Sequence, residues 1–256
     1  MNVKVSTSNG IATVTLDRAE KMNAMSEEMY LDMTRILGEL QTDDAVRAVV
    51  LTGAGKAFCS GSDVGGMHNV DMISSRERMK RRHRMIQNLV NLEKPVIAAV
   101  NGACVGIGFS IALACDLIIA GESAKFSQIF KKIGLVPDGG SIFFLVQHLG
   151  IARAKELVYT ARMLPAQEAR DWGIVTKVVP DAELVSEAHA LAQDLADSAT
   201  YAIGLAKRMF QSMYTPSLEA LLETEILSSA IARLTDDHKE GIAAFAEKRK
   251  PKFKGR

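Results

Sequence analysis

The pattern of apolar and polar positions changes several times along the chain, and each change predicts an element. Val3 and Val5 precede Ser8-Asn9-Gly10, and Ile11–Leu16 follows with apolar alternation. Period-two alternation around Asn-Gly predicts a β-hairpin, because both turn residues tolerate positive φ. Ser26 then stands where a helix N-cap belongs, with Glu27 and Glu28 in the first turn. Met29, Met33, Ile36, Leu37 and Leu40 follow at helical spacing as one buried stripe. Short β-rich runs come next, at Ala45–Leu51, Pro95–Val100, Leu117–Ala120 and Ile174–Val179. Helical stretches separate them, including Met79–Leu92 and Ile111–Ala114, so the alternation predicts an α/β fold. Beyond Asp181 the pattern is almost wholly helical, over 181–197, 200–213, 217–234 and 236–249. A helical final third of this kind packs on the core or on another subunit. No internal repeat, low-complexity segment or linker interrupts the order.

Two glycine-rich loops break the periodicity. One is Thr52-Gly53-Ala54-Gly55-Lys56-Ala57-Phe58-Cys59-Ser60-Gly61-Ser62-Asp63, and the other is Asn101-Gly102-Ala103-Cys104-Val105-Gly106-Ile107-Gly108. Each follows a predicted strand, and the second leads into a helix. Glycines after strands let the backbone turn sharply and bring N–H groups close to a ligand. A helix starting just after Gly106 adds partial positive charge there. Neither loop ends in the Gly-Lys-Ser/Thr of a nucleotide P-loop, and Gly106-Ile107-Gly108 lacks the third glycine of a dinucleotide fingerprint. Taken singly, each loop reads more simply as a tight turn.

Composition narrows the field. The 256 residues are 48% apolar, enough for one large core without a second one. The 31 basic and 30 acidic residues leave a net charge of +1 and no global field for nucleic acid. Cys59, Cys104 and Cys115 cannot all pair, lack metal-site spacing, and read as buried reduced thiols. His68, His83, His148, His189 and His238 also lack metal spacing. The chain starts without an apolar signal segment, and no apolar run approaches the roughly 20 residues that span a bilayer. A soluble, cytoplasmic protein is expected.

The loops gain meaning from their company. Arg18 through Ala24, Phe58-Cys59-Ser60-Gly61-Ser62-Asp63, Pro95 through Gly102, Gly106-Ile107-Gly108, Ala114-Cys115-Asp116, Leu135 through Gly140, Ala166 through Val179 and Phe245 appear in this order. Together they resemble the enoyl-CoA hydratase/isomerase (crotonase) superfamily over nearly the whole chain. The resemblance implies a crotonase (ClpP-like) ββα spiral core over residues 1–195. It also implies a helical C-terminal trimerisation region over 196–256, which covers the CoA site. An acyl-CoA thioester is the implied ligand, with no separate cofactor, no metal, no nucleic acid and no membrane as partners. The implied assembly is a homotrimer or a hexamer built as a dimer of trimers. Matched residue by residue, the backbone N–H groups that hold the thioester oxygen fall at Ser62 and Ile107. Such donors stabilise an enolate oxygen more than the ground-state carbonyl, and losing one raises the barrier by about 3–4 kcal/mol. Ile107 departs from the glycine usual at its position, which leaves the N–H but stiffens the turn. By the same match Lys21, Ala24, Ser62, Asp63, Val64, Gly65, Gly106, Phe245 and Lys248 border the CoA ester.

The reaction depends on carboxylates. Family hydratases use two glutamates, at positions that here hold Ser110 and Phe130. Neither can activate water or protonate C2. Asp138, in Val136-Pro137-Asp138-Gly139-Gly140, matches the aspartate of some family isomerases. The likeness is greatest to the branch of 3,2-enoyl-CoA and phenylacetate-pathway ring-epoxide isomerases, through Ser123 to Asp138 and Gly241 to Lys254. The resemblance therefore implies an isomerase with Asp138 as proton shuttle. A hydratase, or a non-catalytic CoA-ester or RNA-binding module of the same fold, remains an alternative. Pro-Asp-Gly-Gly is also a good turn, and Asp before a helix a common cap. A free Asp, with a reference pKa of about 3.9, is a feeble base. Apolar neighbours such as Phe130, Phe143 and Phe144 would raise it by desolvation if they line the pocket. Lys80-Arg81-Arg82-His83-Arg84 is the densest basic run, and its simplest reading is a solvated helix face.

Overall fold

A computed structural model of the chain describes residues 2–63, 65, 72–212 and 235–256. The opening hairpin pairs β1 (Val3–Ser8) with β2 (Ile11–Leu16) antiparallel, from Val3 opposite Leu16 to Ser8 opposite Ile11. Asn9 and Gly10 both have positive φ, at 52° and 77°, as the turn chemistry requires. The Ser26 hydroxyl caps α1 (Glu27–Thr42) by accepting from Met29 N–H, and the predicted apolar stripe is buried together with Tyr30.

From there strands alternate between two sheets. β3 (Ala48–Gly53), β5 (Val96–Val100), β7 (Leu117–Gly121) and β10 (Lys177–Val179) run parallel and extend the hairpin into a six-stranded sheet, ordered β1-β2-β3-β5-β7-β10. β4 (Ala57–Cys59), β6 (Ala103–Val105) and β8 (Lys125–Ser127) run parallel in a second sheet, closed by antiparallel β9 (Leu164–Pro165). Each spiral turn contributes one strand to each sheet and then a helix. α2 (Met72–Asn91) follows β4, α3 (Ile107–Leu113) follows β6, and α4 (Ser141–Thr160), interrupted at Gly150, follows β8. α5 (Ala166–Asp171) leads to β10, and α6 (Leu184–Ala196), α7 (Thr200–Ser212) and α8 (Asp236–Glu247) complete the described chain.

The central strands are apolar throughout because both faces are covered. Val49, Leu51, Ala98 and Val100 face the main core with α1, α2 and α3. Their neighbours Ala48, Val50, Ile97 and Ala99 meet Leu184, Ala188, Ala192 and Ala196 of α6, whose small side chains let the helix lie close. The C-terminal tail returns to this body. Arg47 donates to the carbonyls of Ser198 and Phe253, and buried Asp237 accepts from the N–H groups of Lys254 and Gly255. Among the described residues no helix is long and apolar enough to cross a membrane.

Several boundaries differ from the sequence expectation. The run predicted at Ala45–Leu51 starts its strand at Ala48, because Val46 N–H bonds Asp43 in a turn. Ile174 and Val175 are likewise held in a turn by the Ala169 carbonyl, which confines β10 to Lys177–Val179. α2 begins at Met72 rather than Met79, and α3 spans Ile107–Leu113 rather than Ile111–Ala114. The helix expected over 217–234 lies outside the described residues.

Candidate functional site

The second sheet brings the two glycine loops together. β4 and β6 are parallel neighbours, so the chain leaves both at the same end of the sheet, into Gly61-Ser62 and Gly106-Ile107. The approach is close: a Cβ built on Gly106 would lie 3.7 Å from Gly61 Cα and 3.8 Å from the Phe130 ring. Both glycines have positive φ, at 118° and 57°. Side-chain-bearing residues rarely adopt such angles, and each angle sets the peptide plane that follows.

Those planes are clamped from behind. The Gly61 carbonyl accepts from Met25 N–H at 2.8 Å. The Gly106 carbonyl accepts from Phe109 N–H at 3.0 Å, Ser110 N–H at 3.1 Å and the Ser110 hydroxyl at 3.3 Å. In a trans peptide the C=O and N–H point oppositely, so the Ser62 and Ile107 N–H groups face away from these clamps. Neither has a hydrogen-bond partner among the described residues. Ile107 opens α3, where first-turn N–H groups have no partner within the helix. Two fixed, unspent backbone donors on adjoining loops are the ingredients of an oxyanion hole.

Asp138 is carried by a segment that packs on the second of these loops. Its carbonyl accepts from the Ser110 hydroxyl at 3.0 Å, and a Cβ built on neighbouring Gly139 would collide with Ile107 Cδ1. The Asp138 side chain is 13% exposed, and its buried Oδ1 has no hydrogen-bond partner among the described residues. Burial pushes its carboxyl above the ordinary 3.8, against the opposing pull of Arg82 and His83. The helix-capping role open to Asp138 in the sequence is not the one observed. Gly140 is the N-cap of α4, and it is the Asp138 backbone carbonyl, not the carboxylate, that meets Ser141 N–H. Of the expected apolar neighbours, Phe130 and Phe144 are buried, whereas Phe143 is 41% exposed.

The other side of the carboxylate is built by residues that the sequence pattern did not single out. Arg82 Nη1 stands 3.7 Å from Asp138 Oδ2, while Arg82 Nη2 donates to Glu27 Oε1 at 2.9 Å. The guanidinium lies 4.9 Å from the centre of the fully buried Tyr30 ring, and the Tyr30 hydroxyl bonds the Ser62 hydroxyl at 2.8 Å. The reading of Lys80–Arg84 as a solvated face is therefore corrected at one position. Lys80, Arg81, His83 and Arg84 are exposed, but Arg82 turns inward, because one residue in such a run must follow the buried stripe of Met85, Ile86 and Leu89. That inward-facing stripe is the signal that would have found it.

The segment from Arg18 to Met25 wraps the first loop. Buried Asn23 donates to the carbonyls of Ala54 and Ala57 and accepts from Arg18 N–H. Arg18 in turn reaches the Ala24 carbonyl and Asp63 Oδ2, and Gly65 N–H bonds Asp63 Oδ1. Those two donors, Gly65 first and then Arg18, hold the Asp63 carboxyl below its ordinary range. Lys21 is exposed, and its carbonyl accepts from Ser60. Lys21, Ala24, Ser62, Asp63, Gly65 and Gly106 are thus assembled around the two loops. Lys248 is exposed with φ 55°, at an end of α8 where the contacts seen run to the C-terminal tail. Val64 and the Phe245 side chain lie outside the described residues. Cys59, Cys104 and Cys115 are free and buried.

The family model described as "Enoyl-CoA hydratase/isomerase" matches residues 6–256. The chain is 38% identical over 254 residues to the 1,2-epoxyphenylacetyl-CoA isomerase of Escherichia coli K12, covering 96% of each chain. It is 35% identical over 250 residues to the short-chain-enoyl-CoA hydratase of Clostridium acetobutylicum, covering 97% of this chain and 96% of that one. Its fold matches the crystal structure of an enoyl-CoA hydratase from Bacillus anthracis with a TM-score of 0.95 and 32% identity, covering all of both chains.

Proposed function

The chain belongs to the enoyl-CoA hydratase/isomerase (crotonase) family, and from that premise we propose that it is an acyl-CoA isomerase with Asp138 as its single proton shuttle. Asp138 takes a proton from C2 of a 3-enoyl thioester, and the C–H electrons pass to the thioester oxygen as a dienolate. The N–H groups of Ser62 and Ile107 hold that oxygen. The same carboxylic acid returns the proton to C4 as the carbonyl re-forms, leaving a conjugated 2-enoyl product. A ring-derived thioester of the kind named for the Escherichia coli relative fits the same enolate chemistry.

The observation that carries this reading is a buried carboxylate, Asp138, with an oxygen unpartnered among the described residues, on a segment packed against the loop whose Ile107 N–H, like that of Ser62, is clamped and unspent. Burial strengthens Asp138 as a base by raising its carboxyl pKa from the ordinary value. Hydration fits the site less well. Of the positions that the family likeness reserves for carboxylates, Ser110 spends its hydroxyl on the carbonyls of Gly106 and Asp138, and Phe130 presents a ring to Gly106. One assay pair separates the readings: a 3-enoyl-CoA followed to its conjugated isomer, and a 2-enoyl-CoA followed to its 3-hydroxy adduct. Isomerisation without hydration is expected, falling about 10²–10⁴-fold in Asp138→Asn. Hydration without isomerisation, or undiminished isomerisation in the variant, refutes the proposal, and inactivity toward both esters favours a binding module.

A further inference from the structure

Arg82 stands between two carboxylates and treats them differently. Its Nη2 makes a direct hydrogen bond to Glu27, whereas its Nη1 remains 3.7 Å from Asp138, beyond hydrogen-bond reach. Arg82 is buried, and the Tyr30 ring supports the face of its guanidinium. Left free, a buried guanidinium this near an aspartate would close on it in a bidentate pair and spend both carboxylate oxygens. Glu27, on the first turn of α1, supplies the competing carboxylate.

We propose that Glu27 and Arg82 are positioning residues for Asp138: Glu27 holds the guanidinium back, so that Arg82 orients the carboxylate without capturing it. The arrangement leaves the buried Asp138 Oδ1 without a hydrogen-bond partner among the described residues, as the isomerase reading on which this inference rests requires. Among the described residues, few charged or titratable groups face Asp138. From α2 come Arg82 and His83, and from α1 come Tyr30 and, through Arg82, Glu27. From α3 the Ser110 hydroxyl is already committed to backbone carbonyls. Removing either member of the Glu27–Arg82 pair therefore changes the field at Asp138 in a direction fixed by its charge.

The test reads that field directly. Protein labelled with ¹³C at aspartate carboxyls is titrated by NMR, and the Asp138 signal is assigned by its absence from Asp138→Asn. In Glu27→Ala, which removes the acceptor with the charge, the released guanidinium closes on Asp138, and its titration moves down by about one to three pH units. The acid limb of kcat for 3-enoyl-CoA conversion moves down with it, with KM little changed. In Arg82→Gln both move up. A merely structural role lowers stability in each variant but moves neither titration. Unchanged titrations, or shifts in the same direction in both variants, overturn the inference. An inactive wild type, or an active Asp138→Asn, overturns the isomerase reading instead, and the NMR titration still decides the positioning roles.

Discussion

Replacing Gly106 by alanine tests whether the Ile107 N–H is as fixed as its surroundings imply. Gly106 has φ 57° and ψ −124°, the conformation of the first central residue of a type II′ turn, which glycine dominates. The new Cβ meets nothing closer than 3.7 Å, so packing is not the source of any cost. Backbone strain is, at about 1–3 kcal/mol. The chain has two ways to respond. It can keep the strain, or rotate the Gly106–Ile107 peptide and lose the donor, which costs about 3–4 kcal/mol of transition-state stabilisation. Rotation also breaks two backbone bonds to the Gly106 carbonyl, at about 1 kcal/mol each, and its share of the Ser110 hydroxyl proton, which the Asp138 carbonyl also accepts. On the other side, Gly106 N–H is tied to the Ser127 carbonyl at 2.8 Å. Clamp and strain are similar in size, and the start of α3 adds to the clamp, so the strain is kept. Gly106→Ala is therefore expected to lower stability by about 1–3 kcal/mol, or about 0.3–1 M in urea midpoint at an m-value near 3 kcal/mol/M. Turnover per folded molecule should stay within about tenfold of wild type. Adding Ser110→Ala removes one of the three donors and should turn part of the stability loss into a further loss of kcat. Urea denaturation and 3-enoyl-CoA kinetics on the same preparations decide it. An unchanged midpoint with a hundredfold loss of kcat would show that the plane is not clamped, and no change in either would refute the strained turn.

Two further outcomes follow from the same geometry. Burial raises the folded-state pKa of Asp138 above 3.8, so in the window between that value and the raised one the native state binds more protons than the unfolded chain. Wild type therefore loses stability as pH rises through the window while Asp138→Asn does not, and parallel pH profiles of their urea midpoints would contradict this. Asn23→Ala removes three hydrogen bonds, one of them to the carbonyl of buried Ala57, at a cost of about 2–4 kcal/mol by denaturant titration. A loss below about 1 kcal/mol would mean that Asn23 does not hold the Arg18–Met25 segment to the first loop.

The local order of the chain was legible in its residues because it depends on neighbours in sequence. Asn9-Gly10 specified the hairpin turn, Ser26 and the Met29-to-Leu40 stripe specified α1, and the apolar central strands required cover on both faces. The motifs around Gly61, Gly106 and Asp138 also marked the loops that meet, since unusual backbone angles restrict residue type. Three-residue strands such as β4 and β6 were not legible, because so short a run carries no alternation and forms only by pairing with its partner. The surroundings of Asp138 were hidden for the same reason. Glu27, Tyr30, Arg82 and Asp138 lie 111 positions apart at the extremes, and each has an ordinary local role on its own element. The direction in which Arg82 points, and the distance it keeps from Asp138, come from packing α1 against α2. The sequence by itself determined which backbone turns were possible and which carboxylate was present. Only the tertiary structure decided which charges surround that carboxylate, because a buried group's field is set by what lies next to it in space.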